Sequence, residues 1–408
     1  MFNSVAALLT SSLILSTIFH SDAFAPHSFF VSNPSPQYDT NKKATTLLQS
    51  TSSNNDSPSP FPSVLCIGET LWDSLPSGIY FGGAPSNVAV HLAYLFQNNS
   101  SSSSTVAVSA CLGNDQLGKE AQRRLELNGV RTDYIQYHPE WETGMATALL
   151  DSNGDATYEF NTPAAWDGLC LDSNLTHLMQ EQQRIMKESQ ENEAVQPVLF
   201  VMGTIAGRLD NDHGATSLST LTSVRNTAPE GTVIMDINLR SPWYKDTKVL
   251  ELIRGSSEDK KLALLKVNEE ELAILEKWCG FMDTNADDLF GDAIKSRMEK
   301  MATSLNTQRL CVTRGEHGAA LFCNIDDIQS FHENPGYSLA NKNADCDTVG
   351  AGDSFLACLI NSLFIHNESA DKALERACAL GGYVAGCRGA TPVHESAPDE
   401  LRNVFSIC

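Results

Sequence analysis

The chain has 408 residues, of which 42% are apolar and 19% charged, and its formal net charge is −22. These figures describe a soluble globular protein with one large α/β domain or two ordinary ones. The acidic excess disfavours nonspecific binding to nucleic acid or an anionic membrane, although a local site can still hold phosphates through backbone dipoles. The 11 cysteines are scattered, with no CxxC and no Cys/His spacing suited to zinc, so reduced thiols are expected.

Taken in chain order, residues 1–23 come first. Val5 to Phe19 is mostly apolar and too short and serine-rich for a membrane span, so it reads as the core of a signal peptide. Residues 24–63 are rich in Ser, Thr, Asn and Pro. They carry Lys42 and Lys43 against Asp39 and Asp56 only, and read as a transit peptide or disordered linker. The folded part is expected to begin at Val64 and run to 408. Apolar runs of strand length fall at Val64 to Gly68, Thr105 to Cys111, Val198 to Met202, Thr232 to Asp236, Ala263 to Val267 and Arg309 to Thr313. Helical patterns separate most of them, which predicts a mainly parallel sheet covered on both faces. Two further strands, Met145 to Asp151 and Thr157 to Phe160, are joined by the turn Asp151 to Asp155 and break that alternation. Asn98 to Ser104 reads as a loop insertion, and the polar stretch around Met179 to Val195 as the exposed end of a helix.

The most informative segment is Asp347 to Phe355 (DTVGAGDSF), which opens the apolar helix Phe355 to Ile360. Glycines at a helix N-terminus let an anion approach free backbone N–H groups closely. Asp353 adds a carboxylate beside that anion site. Together they suit transfer of a phosphoryl group onto a hydroxyl. Four other segments carry polar chemistry. Gly68 to Asp73 (GETLWD) follows the first strand, and Phe81 to Asn87 (FGGAPSN) enters a helix. Asp236 to Arg240 (DINLR) and Lys266 to Glu271 (KVNEEE) each follow a strand, where open α/β sheets bind ligands. Asn268 and Glu271 are three apart and share a helix face. Gly113 to Lys119 nearly matches a P-loop, but Glu120 stands where Ser or Thr is needed. It reads instead as a turn in which Asp115 caps the next helix.

In this order, GETLWD, GGAPSN, DINLR, NEEE, Thr313-Arg314-Gly315 and DTVGAGDSF resemble the ribokinase-like (PfkB) family of sugar kinases, in its fructokinase-like branch. The resemblance implies a three-layer α/β/α sandwich with a mainly parallel sheet and a small β lid. The lid strands would lie near 79–82 and 145–163. It implies ATP-dependent phosphorylation of a sugar's primary hydroxyl. Asp353 would be the general base, and the N–H groups of Gly350, Ala351 and Gly352 with Arg240 would stabilise the phosphoryl group. Sugar contacts would come from Asp73, Gly82, Gly83, Asn87 and Trp166. Nucleotide contacts would come from Asn268, Thr313, Arg314, Gly315, Thr348, Gly350, Gly352 and Gly389. Mg²⁺ would be reached indirectly from Glu271, and a monovalent cation such as K⁺ would sit at Asp347 and Val349. Partners would be sugar and ATP, with a homodimer through the lid, and neither nucleic acid nor, in the mature form, membrane. Ser21 to Pro26 resembles the junction in bipartite plastid presequences of algae with secondary plastids, which implies a plastid; the secretory pathway or the cytoplasm is the alternative. Fructose is the favoured sugar. However, Tyr158 to Ala164 (YEFNTPA) lacks the arginine that plant fructokinases carry there, so ribose, 2-keto-3-deoxygluconate and nucleosides stay open. A non-catalytic, fructokinase-like plastid scaffold is the rival from another class.

Overall fold

The computed structural model describes residues 61–406, apart from 76–77, 98–102, 151–155, 189–196, 210–212, 241–243, 282–287 and 338–347. Residues 1–60 of the expected signal and transit segments, the 151–155 turn and Asp347 lie outside the described residues, whereas Phe61 and Ser63, expected in the transit segment, pack and bond to the folded part.

In chain order the strands are β1 (Val64–Ile67), β2 (Leu71–Leu75), β3 (Gly78–Gly82), β4 (Val106–Gly113), β5 (Arg131–His138), β6 (Gly144–Leu150) and β7 (Ala156–Phe160). They continue as β8 (Leu199–Gly203), β9 (Val233–Asp236), β10 (Leu264–Asn268), β11 (Arg309–Thr313), β12 (Ala319–Ile325) and β13 (Ile328–Asn334). The helices are α1 (Ala84–Gln97), α2 (Gln116–Leu127), α3 (Ser173–Glu188), α4 (Ser217–Thr227), α5 (Asp246–Arg254), α6 (Glu269–Trp278), α7 (Gly291–Ser304), α8 (Ala351–Ile360), α9 (Ala370–Ala385) and α10 (Asp399–Phe405).

Nine described strands form one sheet in the order β13-β12-β11-β10-β9-β8-β1-β4-β5. Every pairing from β11 to β5 is parallel, and β12 and β13 close one edge antiparallel. Side chains alternate across a strand, so each strand feeds two cores. Val64 and Cys66 of β1 join Val88, Leu356 and Leu380 from α1, α8 and α9. Leu65 and Ile67 join Leu178, Leu221, Leu252, Leu272 and Met298 from α3 to α7. Each such aliphatic side chain, fully buried, contributes about 1.5–3 kcal/mol. The expected three-layer α/β/α sandwich is therefore present.

A second sheet of four strands, β3-β2-β6-β7, forms the small lid. It includes the expected strands and adds β2, in which Asp73 pairs with Tyr80 of β3. Among the described residues no helix is long and apolar enough to cross a membrane. Asp115 caps α2 as expected, accepting from the Gly118 N–H at 2.7 Å.

Candidate active site

Carboxyl ends of parallel strands expose backbone groups that no next residue of the sheet covers, and binding sites collect there. The ends of β1, β9, β10 and β11 open here into a cleft of about 320 Å³, with Leu71, Asp73, Ala146 and Phe160 of the lid on its wall. Ligand pockets of roughly 300–1,000 Å³ are usual for small molecules.

One end of the cleft is built around the first turn of α8. Gly350 sits before that turn with φ +78°, and a side chain there would meet the Ala390 backbone at 2.5 Å. Only glycine suits such a position. Gly350, Gly352, Thr348, Val349 and Asp353 all line the cleft. The half-buried Asp353 carboxylate accepts from Asn87 Nδ2 at 2.8 Å. This bond joins the start of α8 to the start of α1, 266 residues away in the chain. Burial, followed by the charge of Asp236, pushes Asp353 up to about 6, against the Asn87 bond and the charges of Lys266 and Arg240. A carboxylate tuned there can take a proton near neutral pH.

Beneath this turn lies a buried ion pair. Lys266 Nζ donates to both oxygens of Asp236 at 2.7 and 3.0 Å. The Asp236 carboxylate, with Glu271 and Asp353 nearby, holds Lys266 above its ordinary value, so the ammonium stays charged. Asn268 caps α6, and Glu271 answers by accepting from the Asn268 N–H at 2.9 Å. The other Glu271 oxygen accepts from the Leu239 N–H at 3.0 Å. Glu271 thus fixes the loop that presents Asn238 and the exposed Arg240 to the cleft. Burial raises both Asp353 and Asp236, and the charge of Arg240 lies close enough to oppose that rise in each.

The other end is lined by Glu69, Asp73, Gly83, Ala84, Leu71 and Phe160. Glu69 Oε1 accepts from the Ala84 N–H at 3.2 Å, at the start of α1. Gly83 has φ +105°, and a side chain on it would strike the Glu69 carbonyl at 2.4 Å. Among the described residues of this end, two buried acceptors have no hydrogen-bond partner, Glu69 Oε2 and Asn87 Oδ1. Because both residues also line the cleft, a ligand or a water there can supply the missing donors.

The pfkB family carbohydrate kinase pattern matches residues 78–397. The chain belongs to that family. Within it, the chain falls in the fructokinase-like branch. The probable fructokinase-6, chloroplastic, of Arabidopsis thaliana is 26% identical over 361 residues, covering 83% of this chain and 82% of the relative. The fructokinase of Salmonella typhimurium is 26% identical over 326 residues, with coverage of 78% and 90%. The crystal structure of fructokinase with bound ATP from Xylella fastidiosa shares the fold at TM-score 0.60 and 19% identity, covering 85% of this chain and 98% of its own. Aminoimidazole riboside kinase from Salmonella enterica does so at TM-score 0.57 and 21% identity, covering 84% and 99%.

Several residues expected in the kinase site stand elsewhere. Trp166 is fully buried behind the lid, packed with Leu71, Ala146 and Phe160, and does not line the cleft. The Arg208 guanidinium stacks on it at 4.4 Å and pairs with Asp167. Arg314 is 2% exposed and donates to the Leu289, Ala319 and Asn334 carbonyls and to Glu333. It clamps the turn after β11 instead of reaching phosphate, because four acceptors already surround it. The Ala351 N–H turns back to the Thr348 carbonyl at 3.3 Å, and Ala351 does not line the cleft. Gly82 lies under Asp73, whose carboxylate would be 2.1 Å from any side chain there. Gly315 and Gly389 lie outside the lining, and Gly389 sits against Tyr80 of the lid.

Sequence reading missed Glu69, Asp236 and Lys266 as site residues. The signal was present: each is a charged residue in or at the end of an apolar run that forms a central strand, where charge is costly unless used.

Proposed function

We propose that this carbohydrate kinase transfers the γ-phosphoryl group of ATP to the primary hydroxyl of a sugar, with fructose the first substrate to test. The bond from Asn87 to Asp353 carries the reading, because it joins the loop suited to sugar to the turn suited to phosphate. Asp353 takes the hydroxyl proton as that oxygen bonds to the γ-phosphorus. The bond from that phosphorus to the bridging oxygen breaks and ADP leaves. N–H groups of Gly350 and Gly352, with Arg240, offset the charge on the moving group. Asn268, Thr313 and Thr348, all in the cleft lining, would hold the nucleotide.

Among the described residues no group of three or more His, Cys, Asp or Glu side chains is placed to hold a metal ion. That fits Mg²⁺ carried by nucleotide phosphates, which keeps several waters and takes few carboxylates. Glu271, buried and already bonded to two N–H groups, fits only an indirect contact. When bound, the ion would neutralise phosphate charge. A monovalent cation at Asp347 and Val349 and a homodimer through the lid edge, where Ile79 is exposed, remain part of the proposal. So does a plastid address in residues 1–63, supported by the chloroplastic relative.

A coupled ADP-release assay with Mg-ATP tests the reading across fructose, ribose, glucose, 2-keto-3-deoxygluconate and adenosine. Sugar-dependent release is expected. A folded protein that binds ATP yet releases none with any of them would return weight to a scaffold role.

A further inference from the structure

We infer that Glu69 binds a hydroxyl of the acceptor sugar and selects neutral sugars against sugar acids, an inference that rests on the carbohydrate-kinase reading above. Glu69 stands between β1 and β2, is 1% exposed and forms part of the cleft wall. Its Oε1 caps the start of α1 through the Ala84 N–H at 3.2 Å. Its Oε2 is buried without any partner. A cap needs one oxygen, and a neutral side chain provides it without burying a second, unanswered acceptor. The remaining oxygen therefore calls for a donor that enters with a ligand.

Asn87 repeats the pattern. Its Nδ2 is committed to the Asp353 carboxylate at 2.8 Å, which turns Oδ1 the other way, and Oδ1 is also buried without a partner. Two orphan acceptors on one cleft match neighbouring hydroxyl donors on one small molecule. The cations among the described lining residues are Arg240 and Lys266. Both act on Asp236 and Asp353 at the transfer end. Near Glu69 the wall offers Asp73, Leu71, Ala146 and Phe160. Arg208, the cation nearest Glu69 in charge, is committed to Asp167 at 2.6 and 3.0 Å and does not line the cleft. A substrate carboxylate at this end would meet carboxylates and apolar walls, whereas a hydroxyl would meet acceptors.

The test is steady-state kinetics of the full chain and its Glu69→Gln variant with ATP. The substrates are the best neutral sugar, its singly deoxygenated analogues and 2-keto-3-deoxygluconate. Gln keeps an oxygen for the cap, so the variant should melt like the parent. Its KM for sugar should rise about 10-fold, with kcat within about 3-fold, because a ground-state contact to a charged acceptor is lost. One deoxy analogue should be poor for the parent and no worse for the variant, since the lost hydroxyl and the lost carboxylate are partners. The sugar acid should fall at least ~100-fold below the neutral sugar in kcat/KM. An unchanged KM, equal penalties for every analogue in both proteins, an unfolded variant or efficient use of the sugar acid would each overturn the assignment. A parent chain active on no sugar at all would instead remove the kinase reading beneath it.

Discussion

At the transfer end of the cleft the charged groups already hold protein partners: Lys266 grips both oxygens of Asp236, Asn87 bonds Asp353, and Glu271 accepts two backbone N–H groups. At the sugar end, Glu69 Oε2 and Asn87 Oδ1 wait in the interior with no donor. The difference follows from what each end must do. Charge that develops during transfer is best met by dipoles and ions fixed beforehand, which need no rearrangement at that moment. Hydroxyl recognition gains most where the protein's own acceptors are unsatisfied until the right donor arrives, because an analogue lacking it leaves them buried and unpaired.

Breaking the buried pair tests the fixed end most severely. Lys266→Met leaves Asp236 buried without its counter-ion and should cost roughly 3–5 kcal/mol in denaturant unfolding. Adding Asp236→Leu should restore most of that loss while turnover stays low, which would separate function from stability. Next in size is a contrast between two arginines. Arg314→Met should destabilise by roughly 3 kcal/mol, since it leaves Glu333 and three carbonyls without their donor. Arg240→Met, at an exposed position, should leave melting unchanged and lower kcat roughly 10- to 100-fold. The opposite split would put Arg314 back on the nucleotide.

The smallest effect is in pH. Asp353 at about 6 and Glu69 at about 7 are both raised by burial, and both serve in the ionised form. The sign follows: kcat/KM should be flat above about 8, fall through 7 by no more than the roughly 10-fold that Glu69→Gln costs, and fall through 6 with a slope of one as Asp353 takes up its proton. Glu69→Gln should leave one limb, near 6. A profile that rises towards acid would contradict both roles.

Much of this was legible in the chain. Central strands such as β1 and β8 announce themselves because both faces are buried and every residue is apolar. β5 and β13 escaped because edge strands carry polar residues on their open sides, with Tyr134 the buried residue of β5. Asp353 and Gly350 were readable because a local motif holds their geometry. The places of Trp166 and Arg314 were not, because burial depends on elements distant in sequence: Gly144 and Phe160 close over Trp166, and Glu333 of β13 reaches Arg314. The same reason hid Lys266, whose partner Asp236 lies one strand away.

The most direct test of the central claim is Asp353→Asn. Asparagine keeps the shape and can still meet Asn87, yet it cannot take a proton. Sugar-dependent ADP release should fall at least ~100-fold, with ATP binding and melting temperature retained. Turnover within a few-fold of the parent would show that Asp353 is not the base, and the account of the transfer end would fail with it.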